Sequence, residues 1–177
     1  GLSPFDVQQN YDQTARHALL AKTERLNELD PDILCILFDD MKGDVSDLAR
    51  IQADMAHLIV GASRATRHIV CPSYYSDDPV LEKVFGSAPP AYLEDLGRWL
   101  EPELDIFWTG PLVCSVEYPR VHLEDVAARL GRKPFLWDNY PVNDGAKKSK
   151  HLHLNAFRPH DVADLISGHA INPMNQA

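Results

Sequence analysis

Asp39 and Asp40 stand side by side at the end of the apolar run Ile33-Leu34-Cys35-Ile36-Leu37-Phe38. A run this short and this rich in β-formers reads as a strand buried on both faces, and the C-terminal mouth of a parallel strand is where α/β proteins place their chemistry. Three readings fit an acidic doublet there. It can cap a helix or solvate a turn, since Asp favours both places. With Asp44 it imitates an acidic magnesium cluster, although such clusters ordinarily work beside a Gly-rich phosphate loop and this sequence has none. Or it can divide the labour of acid and charge stabiliser in glycoside hydrolysis, because adjacent carboxylates resist ionising together and one keeps its proton near neutral pH.

Other segments carry matching equipment. The stretch Leu136-Trp137-Asp138-Asn139-Tyr140-Pro141-Val142-Asn143-Asp144 combines an aromatic wall with amides and carboxylates. Sugars ask for that combination, because their apolar ring faces pack on Trp while their hydroxyls need donors and acceptors. Tyr74-Tyr75 after Cys71-Pro72-Ser73, and Trp108-Thr109-Gly110-Pro111 after Asp105-Ile106-Phe107, add more polar-tipped groups. His151 and His153 would share one face of a strand, but no third ligand at a suitable spacing accompanies them, so no metal is expected.

Positioning these groups requires repeated βα units. Five strand-like runs, Ile33 to Phe38, His68 to Pro72, Asp105 to Trp108, Pro134 to Trp137 and His151 to Ala156, alternate with helical patterns. Ala15, Leu19, Leu26 and Leu29 form one helical stripe, and Leu48, Ile51, Met55, Leu58 and Ile59 form a second. Leu123, Val126, Ala127 and Leu130 form a third, stopped by Gly131; Val162, Leu165 and Ile166 form a fourth, stopped by Gly168. Between Pro72 and Asp105 the chain is longer and holds Pro79, Pro89 and Pro90 around a short helix, which reads as an elaborated loop over the shared rim.

The 177 residues are 45% hydrophobic and 24% charged, an ordinary globular balance with enough apolar content for one core. A net charge of −9 argues against a polyanion partner, and the one basic cluster, Lys147-Lys148-Ser149-Lys150, reads as a solvated loop. No stretch is apolar for the roughly 18 residues that a membrane span needs, so a soluble chain is expected. Cys35, Cys71 and Cys114 cannot all pair and sit in or beside apolar runs, which favours buried thiols and a cytoplasmic setting over a secreted one.

Six blocks in order carry a resemblance: Gly1-Leu2-Ser3-Pro4, Leu37-Phe38-Asp39-Asp40, Cys71-Pro72-Ser73-Tyr74-Tyr75, Trp108-Thr109-Gly110-Pro111, Leu136-Trp137-Asp138-Asn139 with Asn143-Asp144, and Asn172-Pro173. Together they resemble family 84 of the glycoside hydrolases, the β-N-acetylglucosaminidases that include the O-GlcNAcases and hyaluronidase-like bacterial enzymes. The resemblance implies an α/β fold of the (β/α)8 type and retaining, substrate-assisted hydrolysis of terminal β-linked N-acetylglucosamine. In that chemistry the sugar's own acetamido oxygen attacks the anomeric carbon and an oxazoline-type intermediate forms. Asp39 would then orient the acetamido N–H, and Asp40 would protonate the leaving oxygen and later activate water. Tyr75 would hydrogen-bond at the reaction centre, and Asn139 would support the acetamido group and Asp39. Asp144 and Asn172 would hold sugar hydroxyls, while Trp137, Thr109 and Val113 shape the acetamido pocket. No cofactor is implied.

A (β/α)8 barrel takes about 250 residues, and Gly1-Leu2-Ser3-Pro4 resembles the end of the family's third strand. The expectation is therefore a partial TIM-type barrel lacking its first strands, with residues 1–177 as one domain, a fragment of a glycoside hydrolase catalytic barrel. An open barrel exposes two edges, which calls for a complementing chain or a second copy to cover them. The alternative is a truncated, non-catalytic N-acetylglucosamine-binding module that keeps the sugar loops without turnover.

Overall fold

The computed structural model describes residues 1–5, 7–139, 142 and 160–172. Five strands form one sheet in the order β1 (Ile33–Leu37), β2 (Arg67–Cys71), β3 (Asp105–Trp108), β4 (Phe135–Asp138) and β5 (Gly168–Ile171). All four pairings are parallel. A spatial order identical to the chain order, with no reversal point, is the winding of a barrel rather than of a doubly wound sheet. The fold is thus α/β, a partial TIM-type barrel. Leu2 runs beside β1, donating its N–H to the Cys35 carbonyl at 2.8 Å and accepting from the Leu37 N–H at 2.9 Å.

The first four strands fall where hydrophobic patterning puts them, within a residue or so at their ends. A strand follows where none was expected: Gly168 starts β5 instead of ending a helix, and the residues before it form a 3₁₀ helix, His160–Leu165, in place of the expected helical stripe. The expected strand His151 to Ala156, the His151–His153 pair and the Lys147–Lys150 cluster lie outside the described residues.

Helices α1 (Gln13–Asn27), α2 (Leu48–Ala62), α3 (Pro79–Phe85), α4 (Tyr92–Trp99) and α5 (Arg120–Leu130) fill the connections. The β2–β3 connection holds two helices rather than one. Its second, α4, packs between α2 and α5 and so belongs to the outer wall, not only to the rim. Local signals set the ends. Asp12 caps α1 by accepting the Ala15 N–H at 2.9 Å; Asp78 caps α3 by accepting the Val80 N–H at 3.0 Å, ahead of Pro79; and Gly131 closes α5 at φ 66°. Leu29, expected on the α1 stripe, falls past the helix end and is 76% exposed.

Alternation along the strands sorts the two sheet faces. Leu34, Ile36, Val70, Ile106, Trp108 and Leu136 join the helices in the main core. Ile69, Cys71, Phe107 and Phe135, with Cys35, Leu37 and Trp137 against them, line the concave face. Edge-to-face packing ties that face together, with the Phe107 ring 5.3 Å from Phe135 and 4.7 Å from Trp137. At its base Arg67 pairs with Asp105 at 2.7 Å and lies over the Phe135 ring.

The α4–α5 crossing depends on a missing side chain. A Cβ on Gly97 would lie 2.2 Å from the backbone carbonyl oxygen of Leu130. Gly97→Ala must push the two helices apart and should cost about 2–3 kcal/mol of stability, read as a lower denaturant midpoint; an unchanged midpoint would mean that the crossing can slide.

Candidate active site

Every strand contributes to one cavity at the C-terminal ends of the sheet. It measures about 270 Å³ and is lined by Asp39 and Asp40 after β1, Cys71 and Tyr75 at β2, Thr109, Val113 and Cys114 after β3, Trp137, Asn139 and Val142 at β4, and Asn172 after β5. Small-molecule sites commonly hold about 300–1,000 Å³, so this cavity suits a single sugar ring. Of the residues singled out in the sequence, Asp39, Asp40, Tyr75, Thr109, Val113, Trp137, Asn139 and Asn172 all meet here. Asp144 lies outside the described residues. Cys71, Cys114 and Val142 also line the wall, though the motifs gave them no part; inward alternation from Ile69 was the available signal for Cys71.

The two carboxylates differ in surroundings. Asp39 is half-buried and Asp40 exposed. Burial, and next the neighbouring Asp40 charge, raise the Asp39 pKa above its ordinary value. Asp40 sits at φ 57°, in the left-handed region that non-glycine residues seldom occupy, with Asp among the more tolerant. Strain of this kind, on the order of 1–3 kcal/mol, persists only where surrounding structure enforces it, and it clusters at functional sites.

The opposite wall is braced by hydrogen bonds. Asn172 Nδ2 donates to Asn139 Oδ1 at 2.8 Å, and Asn139 Nδ2 donates to the Val113 carbonyl at 3.0 Å. The Val113 N–H in turn donates to Asp78 Oδ2 at 3.2 Å. A single chain of bonds thereby links the loops after β5, β4, β3 and β2. The Thr109 N–H donates to the Tyr75 carbonyl at 2.9 Å, and Thr109 Oγ1 donates to the Leu112 carbonyl at 3.1 Å, which turns the Thr109 hydroxyl proton back into the loop. Beneath Asn139, the buried Asp138 meets His169 Nε2 at 3.2 Å.

Two further groups have defined protonation. Burial, followed by the charges of Asp40, Cys71 and Asp39, pushes the Tyr75 phenol well up, so it stays a proton donor at neutral pH. Burial and the same two aspartates push the Cys71 thiol well up, which leaves it without thiolate character and a poor nucleophile. Cys35, Cys71 and Cys114 are all free. Among the described residues no three His, Cys, Asp or Glu side chains converge as a metal site, and no helix is long and apolar enough to cross a membrane.

Comparison with known proteins agrees with this arrangement. The profile of a family described as beta-N-acetylglucosaminidase matches residues 1–177. Protein O-GlcNAcase of Rattus norvegicus and that of Mus musculus are each 26% identical over 164 residues, covering 88% of this chain and 18% of their own length. A solved Thermobaculum terrenum O-GlcNAc hydrolase mutant superposes with a TM-score of 0.77 at 32% identity, over 93% of this chain and 36% of the other. The chain thus spans about a fifth of the length of the curated relatives it matches.

Proposed function

Because the chain belongs to the beta-N-acetylglucosaminidase family, we propose that its strand-mouth cavity works in retaining hydrolysis of terminal β-linked N-acetylglucosamine, on O-GlcNAc-type substrates, through an oxazoline-type intermediate. The observation that carries the reading is the convergence of two adjacent carboxylates, one protonated phenol and an amide pair in a cavity of one-sugar size. Both carboxylates come from consecutive residues of one strand end. Two adjacent carboxylates with different surroundings suit a division of labour between proton transfer to the leaving group and management of the acetamido N–H. Cys71 offers no thiolate in their place. As the resemblance to the family implies, the substrate's acetamido oxygen serves as the nucleophile in this reading.

In this reading Asp39 accepts from the acetamido N–H, and the raised pKa makes it the stronger base for that proton. Asp40, nearer solvent, donates to the leaving oxygen and then deprotonates the incoming water. Tyr75 donates a hydrogen bond beside the anomeric carbon. Asn139, held rigid by Asn172 and Val113, supports the acetamido group, with Trp137, Thr109 and Val113 around its methyl. Asn172 and Asp144 hold hydroxyls.

We further take residues 1–177 as one unit of a larger catalytic barrel, in which additional strands, from a complementing chain, a second copy or adjoining sequence, cover the open concave face. Ile33 on that face is 48% exposed, which supports a cover. The free thiols support a reducing compartment.

The test is turnover of an aryl β-N-acetylglucosaminide by the full-length protein, compared with the matching aryl β-glucoside. Hydrolysis confined to the N-acetylated sugar is expected. Tight binding of an oxazoline mimic without turnover would instead make this a sugar-binding module. A pH dependence follows as well. Asp39 must be ionised to act, so kcat/KM should be present at higher pH and fall as pH drops through the Asp39 pKa, above the ordinary aspartate value of 3.8.

A further inference from the structure

The turn that carries Asp39 and Asp40 is held at both ends by one buried amide far away in sequence. Gln52, in the second turn of α2, is fully buried and spends both of its donors and its carbonyl oxygen on side chains. Its Nε2 donates to Ser73 Oγ at 2.8 Å and to Gln8 Oε1 at 2.9 Å, and its Oε1 accepts the Tyr92 hydroxyl proton. Ser73 Oγ then donates to the Phe38 carbonyl at 2.7 Å. Gln8 Nε2 donates to the Lys42 carbonyl. The Tyr92 oxygen meanwhile accepts the Ser73 N–H at 3.1 Å. The carbonyls of Phe38 and Lys42 can only accept, which sets the direction of the two branches that reach them.

The two branches therefore end on the backbone carbonyls of residues 38 and 42, immediately outside the strained turn. All four side chains are buried, Gln8 and Tyr92 included, and each polar group meets its partner. A satisfied buried network of this kind defines one conformation, because breaking any member strands a polar group away from water. A turn with Asp40 at φ 57° needs an external constraint. The amide stands among the buried residues of α2, with Leu48, Met55 and Ile59 on the same helix, and is satisfied there by Ser73, Gln8 and Tyr92.

We propose that Gln52 is a positioning residue for the reaction described above: through Ser73 and through Gln8 it clamps the Asp39–Asp40 turn in the geometry that aims the two carboxylates. The proposal rests on that functional reading for its kinetic consequence, while the clamp itself can be read without turnover. A misplacement of about 1 Å at a reacting group can cost on the order of a hundredfold in rate, and the clamp acts on both carboxylates at once.

In the full-length protein, Gln52→Met keeps the volume and removes both donors. It should lower kcat for an aryl β-N-acetylglucosaminide by about 100-fold with KM within about threefold. Ser73→Ala cuts only the branch to Phe38 and Gln8→Met only the branch to Lys42; each should lose about tenfold or more, and Ser73→Thr, which keeps the hydroxyl, should recover most of it. Carbon-detected titration of the carboxyls gives the independent readout: in the variants the Asp39 pKa should move down toward its ordinary value as the turn loosens and hydrates. Variants that match the wild type in Asp39 titration overturn the clamp even where no turnover is measured. Loss of thermal stability with unchanged kcat and unchanged titration makes the network purely structural, which also overturns it. A wild type that neither hydrolyses nor binds N-acetylglucosaminides refutes the functional reading instead, and leaves the titration to decide the clamp.

Discussion

Asp40→Asn is expected to lose hydrolysis of N-acetylglucosaminides with alkyl or seryl leaving groups by about 10²–10⁴-fold, the usual worth of a positioned general acid. Activated aryl glycosides should keep glycosylation to within about tenfold, because a phenolate of low pKa departs with little protonation. The substitution is a clean one. Asn tolerates the left-handed φ that Asp40 adopts, so the backbone is retained while the proton is removed. Side-by-side kinetics on an aryl and an alkyl substrate decide the matter: equal loss on both would take the acid role away from Asp40.

Asp39→Asn should behave differently in two respects. In the proposed mechanism every substrate passes through the oxazoline, formed as the leaving group departs, so aryl and alkyl glycosides should both lose activity, by at least about a hundredfold. The second respect is stability. A carboxyl whose folded-state pKa is raised stabilises the fold fully below its unfolded pKa, and that contribution disappears as pH rises through the folded pKa. At neutral pH an ionised Asp39 is a half-buried charge, and Asn removes it. Thermal unfolding should show Asp39→Asn melting higher than the wild type by about 2–5 °C at pH 7, with the gap closing as the wild-type carboxyl becomes protonated. A lower melting point at pH 7 would mean that Asp39 makes stabilising contacts as a carboxylate.

Much of this site was legible because barrel topology turns strand ends into neighbours. Once Ile33 to Phe38, His68 to Pro72, Asp105 to Trp108 and Pro134 to Trp137 read as parallel strands, Asp39, Tyr75, Thr109 and Asn139 had to share a rim, and they do. Asn172 reached the same cavity by a route the patterning missed. Its strand, Gly168-His169-Ala170-Ile171, has a glycine and an alanine where β-formers were sought, and pairing with Phe135–Asp138 overrides that weak propensity. Gly168 succeeds there because the Phe135 ring fills the space a Cβ would need.

The clamp was less legible for a physical reason. Gln52 interrupts the apolar stripe of α2 and alone reads as a polar residue on a helix flank. Its burial is made tolerable by Gln8, Ser73 and Tyr92, partners 44, 21 and 40 positions away, whose convergence only the folded chain supplies. The brace from Asn172 through Asn139 to Val113 is hidden for the same reason. Motif spacing placed these residues at the site without indicating that they hold each other.

The central claim is that the substrate supplies its own nucleophile while Asp39 and Asp40 manage the protons. The most direct measurement is kcat/KM of the wild-type full-length protein on aryl 2-acylamido glycosides whose acyl group carries zero, one, two and three fluorines. Fluorine leaves the ring and the leaving group alone but weakens the carbonyl oxygen, so the rate should fall steeply and monotonically along the series. A rate insensitive to fluorination would contradict the account and require a nucleophile from the protein.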